Sequence, residues 1–211
     1  MTSLSRRAFV AAGAASLLAG CGGGRDDRSR PSPDTEGAAG AATLTSPPPR
    51  SSADAVRPLG RSVPVGLRIP AIDVDTPVIR LGLAPDGTVE VPPVTAHDRA
   101  GWYEHSPTPG RTGPSVILGH VTVGVYGDGV FRRLAELRRG ERIMARLENG
   151  TTAVFTVDHV RTVAKADFPA DAVYGDVDRP ELRLITCGGP RSGDEYRDNV
   201  IVFATLTSTS P

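Results

Sequence analysis

From residue 63 onward the chain is a succession of short β-branched and aliphatic runs cut apart by turn residues, with almost no helical periodicity. The strand candidates are Val63–Ile69, Pro77–Leu81, Thr88–Val91, Ser115–Gly119, Arg142–Leu147, Ala153–Thr162, Glu181–Thr186 and Val200–Leu206. Val, Ile and Thr are favoured in such runs because their branched side chains fit a pleated, half-buried surface. Turn signals lie between them: Asp86-Gly87, the stretch Pro107 to Gly113, and Asn149-Gly150. Asn149-Gly150 joins two candidate strands directly and predicts a hairpin, since both residues accept the positive φ that a tight turn requires. One short helix is expected over Phe131 to Leu137, with Phe131, Leu134 and Leu137 on one face and Gly140 as its stop. Roughly eight strands with so little helix predict an all-β fold: an eight-stranded closed or nearly closed barrel with one or two short helices.

The chain has 211 residues, room for one domain plus accessories. Its 24 basic and 24 acidic side chains cancel, which argues against nucleic acid as a partner. The N-terminus carries a twin-arginine pattern, Ser5-Arg6-Arg7-Ala8-Phe9, followed by an apolar stretch to Gly20. That stretch is too short for a bilayer, which needs ~20 apolar residues, so it reads as the core of an export signal. It ends in Leu18-Ala19-Gly20-Cys21, which resembles the lipobox of bacterial lipoproteins, where the cysteine becomes the lipid-bearing N-terminus. Residues 1–20 are therefore expected to be a signal peptide and Cys21 a lipidation site. Residues 21–61 are rich in Gly, Ser, Pro, Ala and Asp, without an apolar face to bury, and read as a disordered tether with a span of roughly 35 Å. The folded domain is expected over 62–207. The expected location is extracytoplasmic, on the outer face of the cytoplasmic membrane, held there by the lipid anchor.

If Cys21 carries lipid, Cys187 has no cysteine to pair with. Exported proteins usually pair their cysteines or omit them, so a lone thiol there is a candidate reactive group. Cys187 ends one buried-strand run, His120 ends another, and Arg197 opens a third. A thiol, an imidazole and a guanidinium at strand edges can run acyl transfer through a thioester: nucleophile, general acid/base, and fixed positive charge for the oxyanion. Arginine does not act as a base in such a set, because it stays protonated. Of the remaining histidines, His159 lies in a strand pattern and is expected to be structural or exposed. Arg191, in a Pro-Arg-Ser-Gly turn, is expected to be a solvated loop charge.

Three segments together resemble the sortase family. Leu118-Gly119-His120 with Val130-Phe131, Leu134, Leu137 and Gly140-Glu141 resembles its histidine region. Leu184-Ile185-Thr186-Cys187 resembles its Thr-Leu-x-Thr-Cys motif, and Tyr196-Arg197-Asp198-Asn199-Val200-Ile201-Val202 its arginine region. Arg68-Ile69-Pro70-Ala71-Ile72 and Val91-Pro92-Pro93 also fit the first strands of the actinobacterial branch called class F. The resemblance covers residues 63 to 206. It implies an eight-stranded β-barrel cysteine transpeptidase with Cys187, His120 and Arg197 as catalytic residues, needing no metal or organic cofactor. Such an enzyme cleaves secreted proteins at a C-terminal Leu-Pro-x-Thr-Gly-type sorting signal. It passes the acyl group to an amine on peptidoglycan or its precursor.

The chain departs from the family pattern in places. Arg183 stands where the cysteine motif has its first Thr, and Thr122 and Val123 stand where some sortases carry an acidic or amide residue. The segment from Val163 to Pro180 is long for a barrel loop. Its Phe168 and Tyr174 are expected to line a pocket for the Leu-Pro part of a substrate, and Thr186 is a further expected substrate-binding residue. Its carboxylates do not follow a recognised calcium-loop spacing. Two other functions remain open: a cysteine hydrolase on the same barrel, with water as acceptor, and a non-catalytic lipoprotein that binds cell-wall material. The Ser-His-Gly-Cys pattern of L,D-transpeptidases is absent.

Overall fold

The computed structural model describes residues 56–193 and 195–211. The export signal, Cys21 and the tether as far as residue 55 lie outside the described residues. Eight strands follow in chain order: β1 Pro64–Ile69, β2 Val74–Leu81, β3 Ala100–Tyr103, β4 Gly113–Leu118, β5 Arg142–Leu147, β6 Thr152–Ala164, β7 Pro180–Ser192 and β8 Glu195–Ser210. They close into a barrel in the order β1-β2-β3-β4-β7-β8-β6-β5, with β5 returning to β1. Closure leaves no free edge to pair with another chain. The β2–β3 and β4–β7 contacts are parallel and the others antiparallel. The expected all-β barrel is therefore the observed architecture. Among the described residues, no helix is long and apolar enough to cross a membrane.

Alternation along the strands sorts the side chains into two faces. Ile117 on β4, Leu182 and Leu184 on β7, and Val200, Val202 and Ala204 on β8 point into the barrel and join Trp102, Phe131 and Phe155 in the main core. Val116, Ile185, Ile201 and Phe203 take the outer face of the same strands, where they pack under Val173 as a second, smaller cluster. Val173 belongs to a one-turn helix α1, Ala170–Tyr174, in the connection between β6 and β7. An outer face that is itself covered implies a built surface beside these strands.

Three local expectations are corrected. Thr88–Val91 is not a strand; it takes part only in the isolated bridge Leu83↔Val89. Asp86 Oδ1 accepts from both the backbone N–H and the hydroxyl of Thr88, which curls the segment into a turn. Pro92-Pro93 then removes the donors a ladder would need. The strand that completes the barrel is β3 instead, with Trp102 only 1% exposed. Its Ala100-Gly101 start is a poor β-former by composition. Gly101 leaves room there for the Leu81 side chain, which a Cβ would push aside. Finally, 131–137 is not an α-helix. Leu134 N–H bonds to Phe131 O and Leu137 N–H to Leu134 O, so the turn closes every three residues. A period of three puts Phe131, Leu134 and Leu137 on one buried face just as a period of 3.6 does.

Candidate active site

The crossover that makes β4 and β7 parallel neighbours brings distant residues to one end of the barrel. Their ladder runs from Gly113↔Pro180 to Leu118↔Ile185. It is extended by Gly119 N–H to Ile185 O at 3.1 Å. Continuing that register sets His120 level with Cys187. On the other side of β7, Cys187 is directly opposite Asn199 of β8. Arg197, two residues from Asn199 on the same strand, shares its face. Residues 116, 118 and 120 of β4 and its extension, 183, 185 and 187 of β7, and 197, 199, 201 and 203 of β8 all belong to the outer face. His120 and Cys187 therefore stand side by side, with about 4.8 Å between neighbouring strands, and Arg197 is on the same face of the next strand. Arg197 is displaced along β8 toward the hairpin.

Several contacts fix the ends of these strands. Thr186 is 4% exposed and donates its hydroxyl to Gly119 O at 2.7 Å. It points inward and clamps the His120 end of β4 to β7, so of the three residues expected to contact substrate it is the one turned toward the core. Gly129 lies against His120; a Cβ there would be 2.3 Å from His120 O. The β7–β8 ladder shifts register between Gly188 and Arg191. Gly189 sits in that shift with φ of 72°, and a Cβ would be 2.0 Å from Asp198 Oδ2, so only glycine fits. The imidazole Nε2 of His120 lies 2.6 Å from Pro92 O in the β2–β3 loop. A carbonyl only accepts, so Nε2 is the donor in this contact.

His120 and Cys187 share a cavity of about 350 Å³ with Thr122, Arg191, Glu195 and Tyr196. Both are partly exposed, which a nucleophile and its acid/base partner require. Arg197 lies in an adjoining cavity of about 570 Å³, which shares Lys165, Glu195 and Tyr196 with the first. The Tyr196 hydroxyl is 3.1 Å from Thr122 Oγ1, tying the β4–β5 loop to the start of β8 across the site. Arg191 is exposed, as expected of a solvated charge, but it lies in β7 rather than in a turn and lines the His–Cys cavity, with its guanidinium carbon 5.4 Å from the centre of the Tyr196 ring. The Thr122–Tyr196 and Arg191–Tyr196 contacts were not readable from residue types, because they form only once the β4–β5 loop and the β7–β8 hairpin meet.

The β6–β7 connection forms a wall beside this end of the barrel. Phe168 packs against the outer cluster, and its ring centre is 6.1 Å from that of Tyr174. Burial, and secondarily Tyr103, raises the Tyr174 phenol above its ordinary value, so it stays a neutral donor at physiological pH. Arg183 anchors the wall from beneath. It is 3% exposed, pairs with buried Glu181, donates from Nε to Ala172 O of α1 at 3.2 Å, and lies over the Phe203 ring at 4.6 Å. His159 stacks on that Phe203 ring at 4.5 Å, a structural role.

A family model described as "Sortase domain" matches residues 67–207. A comparison with curated proteins gives no match. Among solved structures, the chain is similar to a lid mutant of sortase A from Corynebacterium diphtheriae, at 21% identity over 72% of this chain and 74% of that one, with a TM-score of 0.55. Sortase C-1 from Actinomyces oris is 20% identical over 68% of this chain and 73% of that chain, TM-score 0.53. Sortase A from Listeria monocytogenes is 17% identical over 70% and 90%, TM-score 0.53. These likenesses carry the fold, and the match of the family model over most of the barrel carries the membership: the chain belongs to the sortase family of cysteine transpeptidases.

Proposed function

We propose that this chain cleaves a C-terminal Leu-Pro-x-Thr-Gly-type signal on exported proteins and transfers the acyl group to a cell-wall amine. Cys187, His120 and Arg197 are the reacting set. The observation that carries the proposal is the placement of all three on the outer face of adjacent strands, beside an apolar wall and an open polar cavity. The Cys187 sulfur, as thiolate, attacks the threonine carbonyl carbon. The C–N bond to glycine breaks as His120 gives a proton to the leaving nitrogen, and a thioester remains. The acceptor amine then attacks the thioester carbonyl, His120 takes a proton from it, and the sulfur leaves. Arg197 holds the carbonyl oxygen as its charge develops, a role whose loss typically costs on the order of 3 kcal/mol. Phe168 and Tyr174 contact the Leu-Pro part of the signal.

Arg68-Ile69-Pro70-Ala71-Ile72 and Val91-Pro92-Pro93 support a class F-like enzyme. Leu18-Ala19-Gly20-Cys21 supports lipidation at Cys21 and a place on the outer face of the cytoplasmic membrane, with residues 21–61 as tether to a catalytic domain over 62–207. The test is to incubate the protein with a library of x-Pro-x-Thr-Gly peptides and detect the thioester on Cys187 by mass spectrometry, with and without an added amine. Amide product with amine present supports the transpeptidase. Free acid in equal yield under both conditions makes it a hydrolase, and no thioester with any peptide refutes the proposal.

A further inference from the structure

A second cavity, of about 410 Å³, opens on the same outer face farther down β4. Tyr103 and Val116 form its floor, Leu83 and Val89 of the β2–β3 loop one wall, and Tyr174 and His105 its rim. Its aromatic groups are already oriented. The Tyr103 ring meets Tyr174 edge-on at 6.3 Å and His105 edge-on at 5.5 Å. Leu83 is 47% and Tyr174 39% exposed, so the site offers apolar surface that nothing in the chain covers among the described residues.

This cavity is the far end of a groove that begins at the thiol. The β2–β3 loop carries Leu83 and Val89 at the cavity and presents Pro92 O to His120. The β6–β7 connection carries Phe168 against the outer cluster that includes Val116 and Ile185, and Tyr174 at the cavity. One loop thus walls each side, and the outer faces of β4 and β7 form the floor. Val116 lies four residues before His120 and Pro114 six, about 13 and 20 Å along the strand at ~3.3 Å per residue. An extended peptide covers the same ground in four to six residues. With the attacked carbonyl at Cys187, the leucine of Leu-Pro-x-Thr is three residues upstream, about 10 Å away. Tyr174 stands at that boundary, next to Phe168 on the side of the leucine and at the rim of the cavity on the other, and the rest of the cavity lies beyond. The acyl half belongs in this groove because it must stay bound while the leaving amine departs and its replacement arrives. The open polar cavity beside His120, Arg191 and Glu195 suits that exchange.

We propose that the cavity lined by Tyr103, Val116, Leu83, Val89 and Tyr174 is an upstream specificity subsite. It takes one aromatic or large apolar side chain from the segment one to three residues ahead of the sorting signal. The subsite rests on the transpeptidase reading and selects among substrates that share one signal.

The test uses the full chain. Fluorescent peptides are compared for binding to the Cys187→Ala protein and for thioester formation with the wild type. One set begins at the leucine, one adds three Gly/Ser residues before it, and three carry a single Phe at each added position. One Phe peptide is expected to bind about tenfold more tightly than the Gly/Ser peptide, the order expected for burying a large apolar side chain. That ratio should fall to about one in Leu83→Asp and in Val89→Asp, two loop positions whose substitution does not threaten the core. Equal binding of all extended peptides while thioester still forms overturns the subsite and leaves the transpeptidase standing. An undiminished ratio in both Asp variants also overturns it. Absence of thioester with every peptide overturns the transpeptidase, and the subsite with it.

Discussion

Arg183→Met is the most informative single change, because Arg183 replaces a threonine of the family's cysteine motif and couples the catalytic strand to the substrate wall. The guanidinium is 3% exposed and paired with Glu181, itself 6% exposed. Removing one partner of such a pair usually costs ~3–5 kcal/mol, since the other charge is left buried. Here Glu181 keeps a second partner, Arg179 Nε at 2.7 Å, but that side chain is 63% exposed and screens the charge only partly. Loss of the contact over Phe203 adds ~1 kcal/mol and loss of the bond to Ala172 O about as much. Methionine returns some of this by filling the volume of the arginine stem. The net expectation is a loss of about 3 kcal/mol, or roughly 6–12 °C in Tm for a domain of this size. The double variant Arg183→Met/Glu181→Leu removes both charges together and should recover to within ~1 kcal/mol of wild type. Urea denaturation of both proteins measures this. The Ala172 bond also predicts a kinetic signature. A loosened α1 should raise KM for the sorting peptide several-fold with kcat nearly unchanged, and the rate of Cys187 alkylation should not move. A single variant less than ~1 kcal/mol below wild type, or a double variant worse than the single, would refute the argument.

Cys187→Ala should abolish thioester formation, and His120→Ala should lower turnover at least ~100-fold, the smaller end of general acid/base catalysis; steady-state assay of purified variants checks both. Arg197→Lys should be impaired nearly as much as Arg197→Ala, mostly in kcat, because lysine keeps the charge but loses the two-pronged donor geometry; near-normal rates for the lysine variant would show that charge alone suffices. Cys21→Ser should release or mislocalise the protein while catalysis by the folded domain is unchanged; membrane fractionation with intact-mass analysis decides between a lipidated Cys21 and a retained signal segment. Tyr174 titrates above a tyrosine's ordinary value of about 10, so the unfolded chain ionises first and its contribution to stability falls as pH rises through that value toward the folded one. In Tyr174→Phe this part of the alkaline slope should vanish, as read by denaturation at a series of alkaline pH values.

The barrel was legible because its strands carry their own signals. Runs such as Leu182-Arg183-Leu184-Ile185 and Val200-Ile201-Val202-Phe203 need no partner to be recognised. What the sequence hid depended on partners. β3 contains Gly101, whose value is the room it leaves for Leu81, a contact that exists only once β2 and β3 are parallel neighbours. The 131–137 turn has the apolar spacing of an α-helix, and spacing alone does not separate a period of three from 3.6. At the site, His120 and Cys187 were visible as residue types at strand ends. The inward turn of Thr186 was not, because one-residue parity decides between the groove and the core, and parity is set by the ladder to β4.

Arg183 shows how parity also shapes specificity. Counting back from Cys187 by twos gives Ile185 and then Arg183, so the residue at the threonine position of the motif must share the thiol's outer face. A threonine there would leave the underside of the β6–β7 connection to be held by something else. An arginine reaches across to Ala172 O and holds it from within, with Glu181 on the same face to balance its charge and Phe203 on β8 to stack against it. The wall that carries Phe168 and Tyr174 is therefore fixed to the same strand as the nucleophile, so groove and thiol keep their spacing. Under the proposed upstream subsite, that fixed spacing would let a side chain be measured against the scissile bond: a loop free to slide would accept the same residue at several positions, whereas an anchored one would select a single register.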